Sequence, residues 1–316
     1  MKIRIIGVLL LACCMAFNSV QSLAKASKTI AVTIDDLPFT ASTDKSLAEK
    51  TALTEKLLAS LKNHNIEAVG FVNEKKLLVE GEVDGHIAIL EQWLEAGMEL
   101  GNHTFDHSGM NQTSLDAMKE SVIKGQVVSE WLSKKHNKPY RYFRHPFTQT
   151  GNSVEEKTEF ENFLKQQGLE VAPFTIEHTD YLFSCAYDRS QESEKDITQI
   201  EQDYLKHLSE ALDAFETMSD ELFDRQVPQI WLIHANAINA DTLDQQIALL
   251  KKRGYEFITL EQAMKDPAYQ IETAPSKHFG PSWLMRWAKQ LKKKLSVYGQ
   301  PEPPEGVMAI YKRQCL

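Results

Sequence analysis

Seven short runs rich in β-branched residues alternate with longer amphipathic stretches along this chain. In the first run Ile30, Val32 and Ile34 share one face, and leucines then recur at helical spacing between residues 46 and 65. Strands that alternate with helices in this way predict one parallel sheet with right-handed crossovers, in the α/β class. Because no strand is followed by a glycine-rich loop of the dinucleotide-binding type, we expect a barrel-like closure of the sheet rather than an open doubly wound sheet.

The alternation also predicts the domain organisation. Strands are predicted at residues 28–36, 67–74, 98–104, 140–147, 169–176, 229–236 and 255–260, and helices at 46–65, 86–97, 114–135, 153–167 and 241–254. The interval 182–228 is too long for one crossover, so we expect an inserted loop and a charged helix near 195–216. The pattern stops after Pro267. This divides the chain into a barrel domain at 28–267 and a C-terminal extension at 268–316, which either packs on the barrel or is mobile.

The first residues have the composition of a secretory signal peptide. Lys2 and Arg4 precede an apolar run that ends at Phe17, and small residues follow it. The run is too short and wrongly flanked for a membrane span, so we expect removal of residues 1–24 and a periplasmic or secreted protein without a transmembrane segment. Lipid anchoring through Cys13 ranks second, because the apolar run continues past that cysteine.

Charge and cysteine content narrow the classes of partner. Loss of the signal removes two basic residues and no acidic one, which changes the formal net charge from −9 to −11. Such an acidic chain argues against nucleic acid or anionic membrane as the main partner and fits a neutral substrate or a cationic product. Only Cys185 and Cys315 remain; they could pair in an oxidising compartment, but their spacing does not set their distance. The sequence carries no signal for the oligomeric state.

Two strand ends carry candidate metal ligands. In barrels of this kind the chemistry lies at the carboxyl ends of the strands. The first strand ends in the carboxylates Asp35 and Asp36, and the third ends in a His-x-x-x-His pair, His103 and His107. Imidazoles at this spacing on one helical turn can share a metal, and a carboxylate would complete a site that suits Zn²⁺, Co²⁺, Mn²⁺ or Fe²⁺. Each motif alone is also compatible with a polar surface turn.

Three further strand ends carry polar residues that could serve hydrolysis. Arg144, at the end of the fourth strand, could hold a carboxylate and lower its pKa, or form a surface salt bridge. Asp180 and Tyr181 follow the fifth strand. His234 ends the sixth, where it could be a general acid or a satisfied core residue. The other histidines, interpreted as structural or solvent-facing or left without a role, are His64, His86, His136, His145, His178, His207 and His278.

The stretches TIDD, HTFDH, RHPF, TDY and LIH, in this order, resemble the five motifs of the polysaccharide deacetylase family, or carbohydrate esterase family 4. The resemblance covers residues 28–267 and implies a distorted seven-stranded (β/α) barrel that holds one divalent metal, usually zinc. By position it implies the following roles: metal ligands Asp36, His103 and His107, base Asp35, Arg144 that orients the base, acid His234, its partner Asp180, and substrate contacts Phe147 (through its backbone N–H), Tyr181 and Leu232.

The fourth motif departs from the family pattern, because Tyr181 stands where tryptophan is usual and an earlier acidic position is Glu177. The resemblance implies removal of N-acetyl groups from N-acetylglucosamine-type glycans, with release of acetate. An O-acetyl esterase of the xylan type and a non-catalytic carbohydrate-binding protein are alternatives on the same residues. A phosphoesterase would favour a more basic pocket, and the sequence lacks the G-x-S-x-G and C-x-x-C motifs of serine hydrolases and redox proteins.

Overall fold

The chain is described here by a computed structural model that covers residues 28–191, 193–276 and 280–316. The expected signal peptide, Cys13 and His278 lie outside the described residues. None of the helices in the covered ranges combines the length and apolar character needed to cross a membrane.

Seven parallel strands form one sheet, in which the first strand pairs with three other strands. The strands are β1 (Lys28–Leu37), β2 (Ala68–Val72), β3 (Glu99–Asn102), β4 (Tyr142–Phe143), β5 (Glu170–Val171), β6 (Gln229–His234) and β7 (Tyr255–Phe257). Their order is β5-β4-β3-β2-β1-β6, and β7 pairs with the start of β1. Residues 30–35 of β1 are buried throughout, as expected for a parallel strand covered on both faces.

The sheet curls until its two ends meet. Ile176, beyond β5, forms a parallel bridge with Trp231 of β6. The N–H of Thr175 donates to Ile230 O, and the N–H of Leu232 donates to Ile176 O, each at 2.9 Å. These bonds confirm the predicted distorted barrel. The strands β4 and β5 are only two residues long, and Pro146 and Pro173, which cannot donate a backbone hydrogen bond, follow within three residues of them.

Helices cover the sheet, and several predicted elements, β4 and β5 among them, were wrong in their extent. The helices are α1 (Leu47–Asn63), α2 (Val83–Glu95), α3 (Leu115–Lys124), α4 (Val127–Lys135), α5 (Val154–Gln166), α6 (Asp180–Arg189), α7 (Glu194–Phe223), α8 (Ala237–Lys252), α9 (Leu260–Met264), α10 (Trp283–Gln290) and α11 (Glu305–Gln314). The helix predicted at 114–135 is two helices, broken at Gly125. The strand predicted at 255–260 ends at Phe257, because Thr259 and Gln262 form a capping box that starts α9.

The inserted segment and the C-terminal segment both pack on the barrel. The charged helix predicted near 195–216 is the longer α7, and Trp283, Leu284 and Trp287 of α10 are buried in the main core. A disulfide between Cys185 and Cys315 joins α6 to the end of α11. Of the two alternatives for the C-terminal extension, packing on the barrel therefore holds for residues 280–316. The domain boundary at residue 267 stays a prediction, since residues on both sides of it share one core.

Candidate metal centre and active site

Asp35 and Asp36 line the same cavity although they are neighbours in a strand. Successive side chains of a regular strand point to opposite faces. Here Asp36 has a φ of 71°, and the pairing of β1 with β2 shifts register between Ile34 and Leu37. This bulge brings both carboxylates to the carboxyl end of the sheet. The pairing of β1 with β6 sets Asp35 beside His234 at the same edge.

The loop after β3 supplies two imidazoles and fixes one of them through a second contact. Nδ1 of His103 lies 2.7 Å from the backbone carbonyl oxygen of Arg144, to which a ring N–H donates. His103 Nε2 is thereby left for the cavity, an arrangement typical of metal-binding histidines. His107 follows one turn later, and its ring lies 4.9 Å from that of His103.

Asp36, His103 and His107 form the one group of potential metal ligands found within the described ranges. Asp36 Oδ1 lies 3.8 Å from His103 Nε2 and 3.6 Å from His107 Nε2. Ligand bonds of ~2.1 Å in a tetrahedral site place ligand atoms ~3.4 Å apart, close to these distances. Asp36 Oδ1 is buried and has no hydrogen-bond donor among the described residues. The donor set and its spacing therefore fit a divalent transition metal.

Strained backbone is concentrated around this centre. Positive φ outside glycine costs about 1–3 kcal/mol per residue and persists where the surroundings enforce it. Ten described non-glycine residues have a positive φ, and six of them lie near the carboxyl end of β1 or in the loops that follow β3, β4 and β5: Asp36, Thr104, His107, Phe147, Thr148 and Thr179. The concentration is expected where a fold holds side chains for a ligand rather than for its own stability.

Burial and local charge separate the two carboxylates. Burial raises the pKa of Asp35 to about 6, against the opposing charges of Arg144 and His234. Burial also raises the pKa of Asp36, but Lys76 and the surrounding histidines outweigh it, so that pKa lies below its ordinary value. Burial lowers the pKa values of His103 and His107, which favours the neutral imidazole that binds a metal. At a pH at which Asp35 is still partly protonated, Asp36 is therefore already ionised.

Lys76 is a neighbour of the centre that the sequence analysis did not identify. Its ammonium donates to the backbone carbonyl of Asp36 at 3.0 Å and lies 3.5 Å from Asp36 Oδ1. It lies just after β2, a strand end to which the sequence analysis assigned no polar role.

Arg144 approaches Asp35 without the bidentate contact expected of it. Its Nη1 lies 3.9 Å from Asp35 Oδ2, and its Nη2 donates to Thr33 Oγ1 at 2.8 Å. The guanidinium is buried against the ring of Phe71. Arg144 does lower the pKa of Asp35, but desolvation outweighs this charge.

His234 and Asp180 form a tight pair on the far side of the cavity. The Nδ1 atom of His234 lies 2.7 Å from Asp180 Oδ1. Burial lowers the pKa of His234, but Asp180 raises it by more, to about 10. Side-chain amides of Asn236 and Asn239 also donate to Asp180 Oδ2. His234 is therefore an imidazolium near neutral pH.

The cavity of about 280 Å³ brings together most of the residues predicted from sequence. Eight of the ten line it, while Arg144 and Asp180 lie behind Asp35 and His234. Its wall also contains residues to which the sequence gave no role: His145, Thr148, Phe174, Glu177 and Gly280. Glu177 accepts hydrogen bonds from Thr179 N–H and from Gln300 of the C-terminal segment. The remaining buried histidines His86, His178 and His207 lie outside this wall.

The fold agrees with comparisons to known proteins. Residues 23–162 match the sequence model of the family described as polysaccharide deacetylase, which confirms the resemblance found in the sequence. Peptidoglycan-N-acetylglucosamine deacetylase PgdA of Listeria monocytogenes serotype 1/2a (strain 10403S) is 25% identical over 245 residues, 76% of this chain and 39% of that protein. The chain thus spans 39% of the length of the curated relatives it matches.

Solved structures show the same fold. BA3943 of Bacillus anthracis, described as a pseudoenzyme of carbohydrate esterase family 4, is 17% identical with a TM-score of 0.50, over 76% of this chain and 66% of that one. A BA3943 mutant described as having restored enzymatic activity is 18% identical with the same TM-score, over 76% and 68% of the two chains. The similarity of this chain to these two structures is a similarity of fold.

Proposed function

We propose that this protein is a metal-dependent hydrolase that removes N-acetyl groups from N-acetylglucosamine-type glycans and releases acetate. The observation that carries the proposal is the approach of Asp36 Oδ1 to the Nε2 atoms of His103 and His107, at 3.8 and 3.6 Å, beside a second carboxylate. Those three residues would hold one divalent metal, with Zn²⁺ as the first candidate and Co²⁺, Mn²⁺ or Fe²⁺ as alternatives. A metal bound there supplies polarisation of the acetyl carbonyl and a lowered pKa for water.

Asp35 is proposed as the general base. With a pKa of about 6 it is mostly ionised near neutral pH and remains basic enough to take a proton from the attacking water. Arg144 would orient it and oppose its protonation, acting across 3.9 Å. The backbone N–H of Phe147, in the loop after β4, would stabilise negative charge that develops on the carbonyl oxygen.

His234 is proposed as the general acid. Its pKa of about 10 keeps it protonated near neutral pH, and Asp180 fixes its Nδ1, so Nε2 is the atom that donates to the departing amine. Amines leave poorly unless protonated, so an acid distinct from the base is expected for amide hydrolysis. The contribution of such an acid is about 10²–10⁴ in rate.

The substrate is proposed from the cavity and from the family. Phe147, Tyr181 and Leu232 line the cavity and would contact the sugar. Peptidoglycan, chitin-like oligomers and other acetylated glycans share the N-acetylglucosamine unit, and the name of the Listeria relative supports this class. An extracytoplasmic location is supported by the disulfide between Cys185 and Cys315, which persists in oxidising compartments.

The test is acetate release by the purified protein after metal depletion and after addition of each metal. A chitin oligomer, peptidoglycan and acetylated xylan form the panel, and Asp35→Asn serves as the matched inactive variant. The proposal predicts metal-restored acetate release from the first two. Release from xylan alone would assign an O-acetyl esterase instead. Glycan binding without acetate release by the metal-loaded protein would assign a carbohydrate-binding protein.

A further inference from the structure

The C-terminal segment reaches the proposed oxyanion loop directly. Gly280 lines the cavity, its N–H donates to Phe147 O at 3.0 Å, and its carbonyl accepts the hydroxyl of Thr148 at 2.8 Å. A Cβ at Gly280 would overlap with Thr148 and with the guanidinium of Arg286. Gly280 and Arg286 of the C-terminal segment therefore pack closely against Thr148 of the loop.

Arg286, in α10, is buried behind this loop without an acidic partner. It is 5% exposed, and no carboxylate of the described ranges forms an ion pair with it. Its Nη2 donates to Thr148 O at 2.7 Å, its Nε to Pro281 O at 2.9 Å, and its Nη1 to Thr150 Oγ1 at 3.4 Å. Burial lowers the pKa of this guanidinium to about 9. A buried charge is unfavourable unless its donors form hydrogen bonds, and two of the three bonds here go to Thr148 and Thr150 of the loop.

The loop needs such support. Phe147 and Thr148 both have a φ of 52°, a conformation that side-chain-bearing residues adopt only where contacts enforce it. We propose that Arg286 is a positioning residue that, with Gly280, locks the Phe147–Thr148 turn and so aims the Phe147 N–H at the reacting carbonyl. The inference rests on the proposed function for its effect on rate, but the lock itself is a property of the chain.

The test compares Arg286→Met, Arg286→Lys and the matched control Arg225→Met. Arg225 pairs with Asp266 on the surface. Hydrogen exchange of amides in residues 147–151 is measured in the metal-loaded protein. The values of kcat and KM are measured on a chitin oligomer, and metal affinity is measured by titration. Arg286→Met is expected to raise exchange in this segment at least tenfold and to lower kcat about 10²-fold, the loss expected for one displaced oxyanion donor. KM and metal affinity should change less than about threefold, and Arg286→Lys should recover part of kcat.

The outcomes separate the lock from the function. Unchanged exchange in Arg286→Met would overturn the lock, whatever the activity. Faster exchange with the kcat of the Arg225→Met control would overturn the positioning role. A loss of kcat accompanied by clear losses of metal affinity and of thermal stability would also overturn the positioning role, because a general structural defect would then explain the lower kcat. Absence of acetate release by the wild type would reject the proposed function, while the exchange measurement would still test the lock.

Discussion

Asp180 contacts His234 twice, at 2.7 Å from the side-chain Nδ1 and at 2.7 Å from the backbone N–H. The carboxylate begins α6, and the histidine ends β6, so the pair joins two elements at the edge of the cavity. Asp180 raises the pKa of His234 to about 10 against the effect of burial, while burial itself raises the pKa of Asp35 to about 6. Titratable groups whose environments separate their pKa values in this way suit the roles of acid and base.

In Asp180→Asn, the loss of activity that accompanies rising pH should begin at a lower pH than in the wild type. Without the Asp180 carboxylate the largest effect that raises the pKa of His234 is lost, so burial lowers that pKa from about 10. A general acid must be protonated, so the basic limb of the kcat/KM profile should move down by the same amount. The measurement is a pH–rate profile, with the surface variant Asp213→Asn as control. A basic limb at the wild-type pH would mean that another group is the acid.

Asp35→Asn should stabilise the metal-free protein at high pH. The folded-state pKa of about 6 exceeds the ordinary 3.8, so the wild type loses stability as the pH rises through about 6. At pH 8 the variant should gain on the order of 1–3 kcal/mol, and at pH 4 little. Urea unfolding with a chelator present measures this difference. Asp36→Asn is the matched control of opposite sign, because the pKa of Asp36 is lowered on folding. A stability loss in both variants would refute the assignment of the two environments.

Gly125→Ala should weaken the histidine loop. A Cβ at Gly125 would lie 2.6 Å from backbone atoms of Thr104 and Phe105, between the two imidazoles. We expect a loss of more than about 1 kcal/mol in stability and weaker metal binding. Gly306→Ala, inside α11 with open space around it, should instead gain about 0.5–1 kcal/mol. If Gly125→Ala and Gly306→Ala gave the same results in thermal unfolding and in metal titration, the close approach at Gly125 would be unimportant.

Cys315→Ser should destabilise the fold and leave metal binding intact. The disulfide closes a separation of 130 residues, and its loss is expected to cost about 2–5 kcal/mol through the entropy of the unfolded chain. The metal ligands lie at the end of β1 and in the loop after β3, and none of the three is part of α6 or α11. Guanidinium unfolding of the variant and of the reduced wild type should agree. A reduced wild type as stable as the oxidised protein would contradict the bond's presence in solution.

Much of the site could be predicted because parallel strands bring their carboxyl ends to one edge. The alternation of strands and helices predicts the barrel, and the barrel then collects Asp36, His103 and His107 from separate parts of the chain. The prediction used local patterns only. It therefore succeeded where the position along a strand decides where a side chain lies.

Contacts that depend on tertiary packing could not be predicted. The bulge at Asp36, the carbonyl of Arg144 on His103 and the break at Gly125 each require a neighbour distant in sequence. The contacts of Gly280 and Arg286 with the Phe147 loop are of the same kind. The sequence assigned the C-terminal segment no part in the site, because no local pattern there carries chemistry.

Metal titration of the purified, chelator-treated protein tests the central claim most directly. Mass spectrometry of bound metal and a competition titration with Zn²⁺ should give one ion per chain. His107→Ala should weaken binding at least about 100-fold, while His136→Ala, which removes a surface contact with Glu91, should leave it unchanged. No bound metal in the wild type, or the same affinity in His107→Ala, would contradict a centre built from Asp36, His103 and His107.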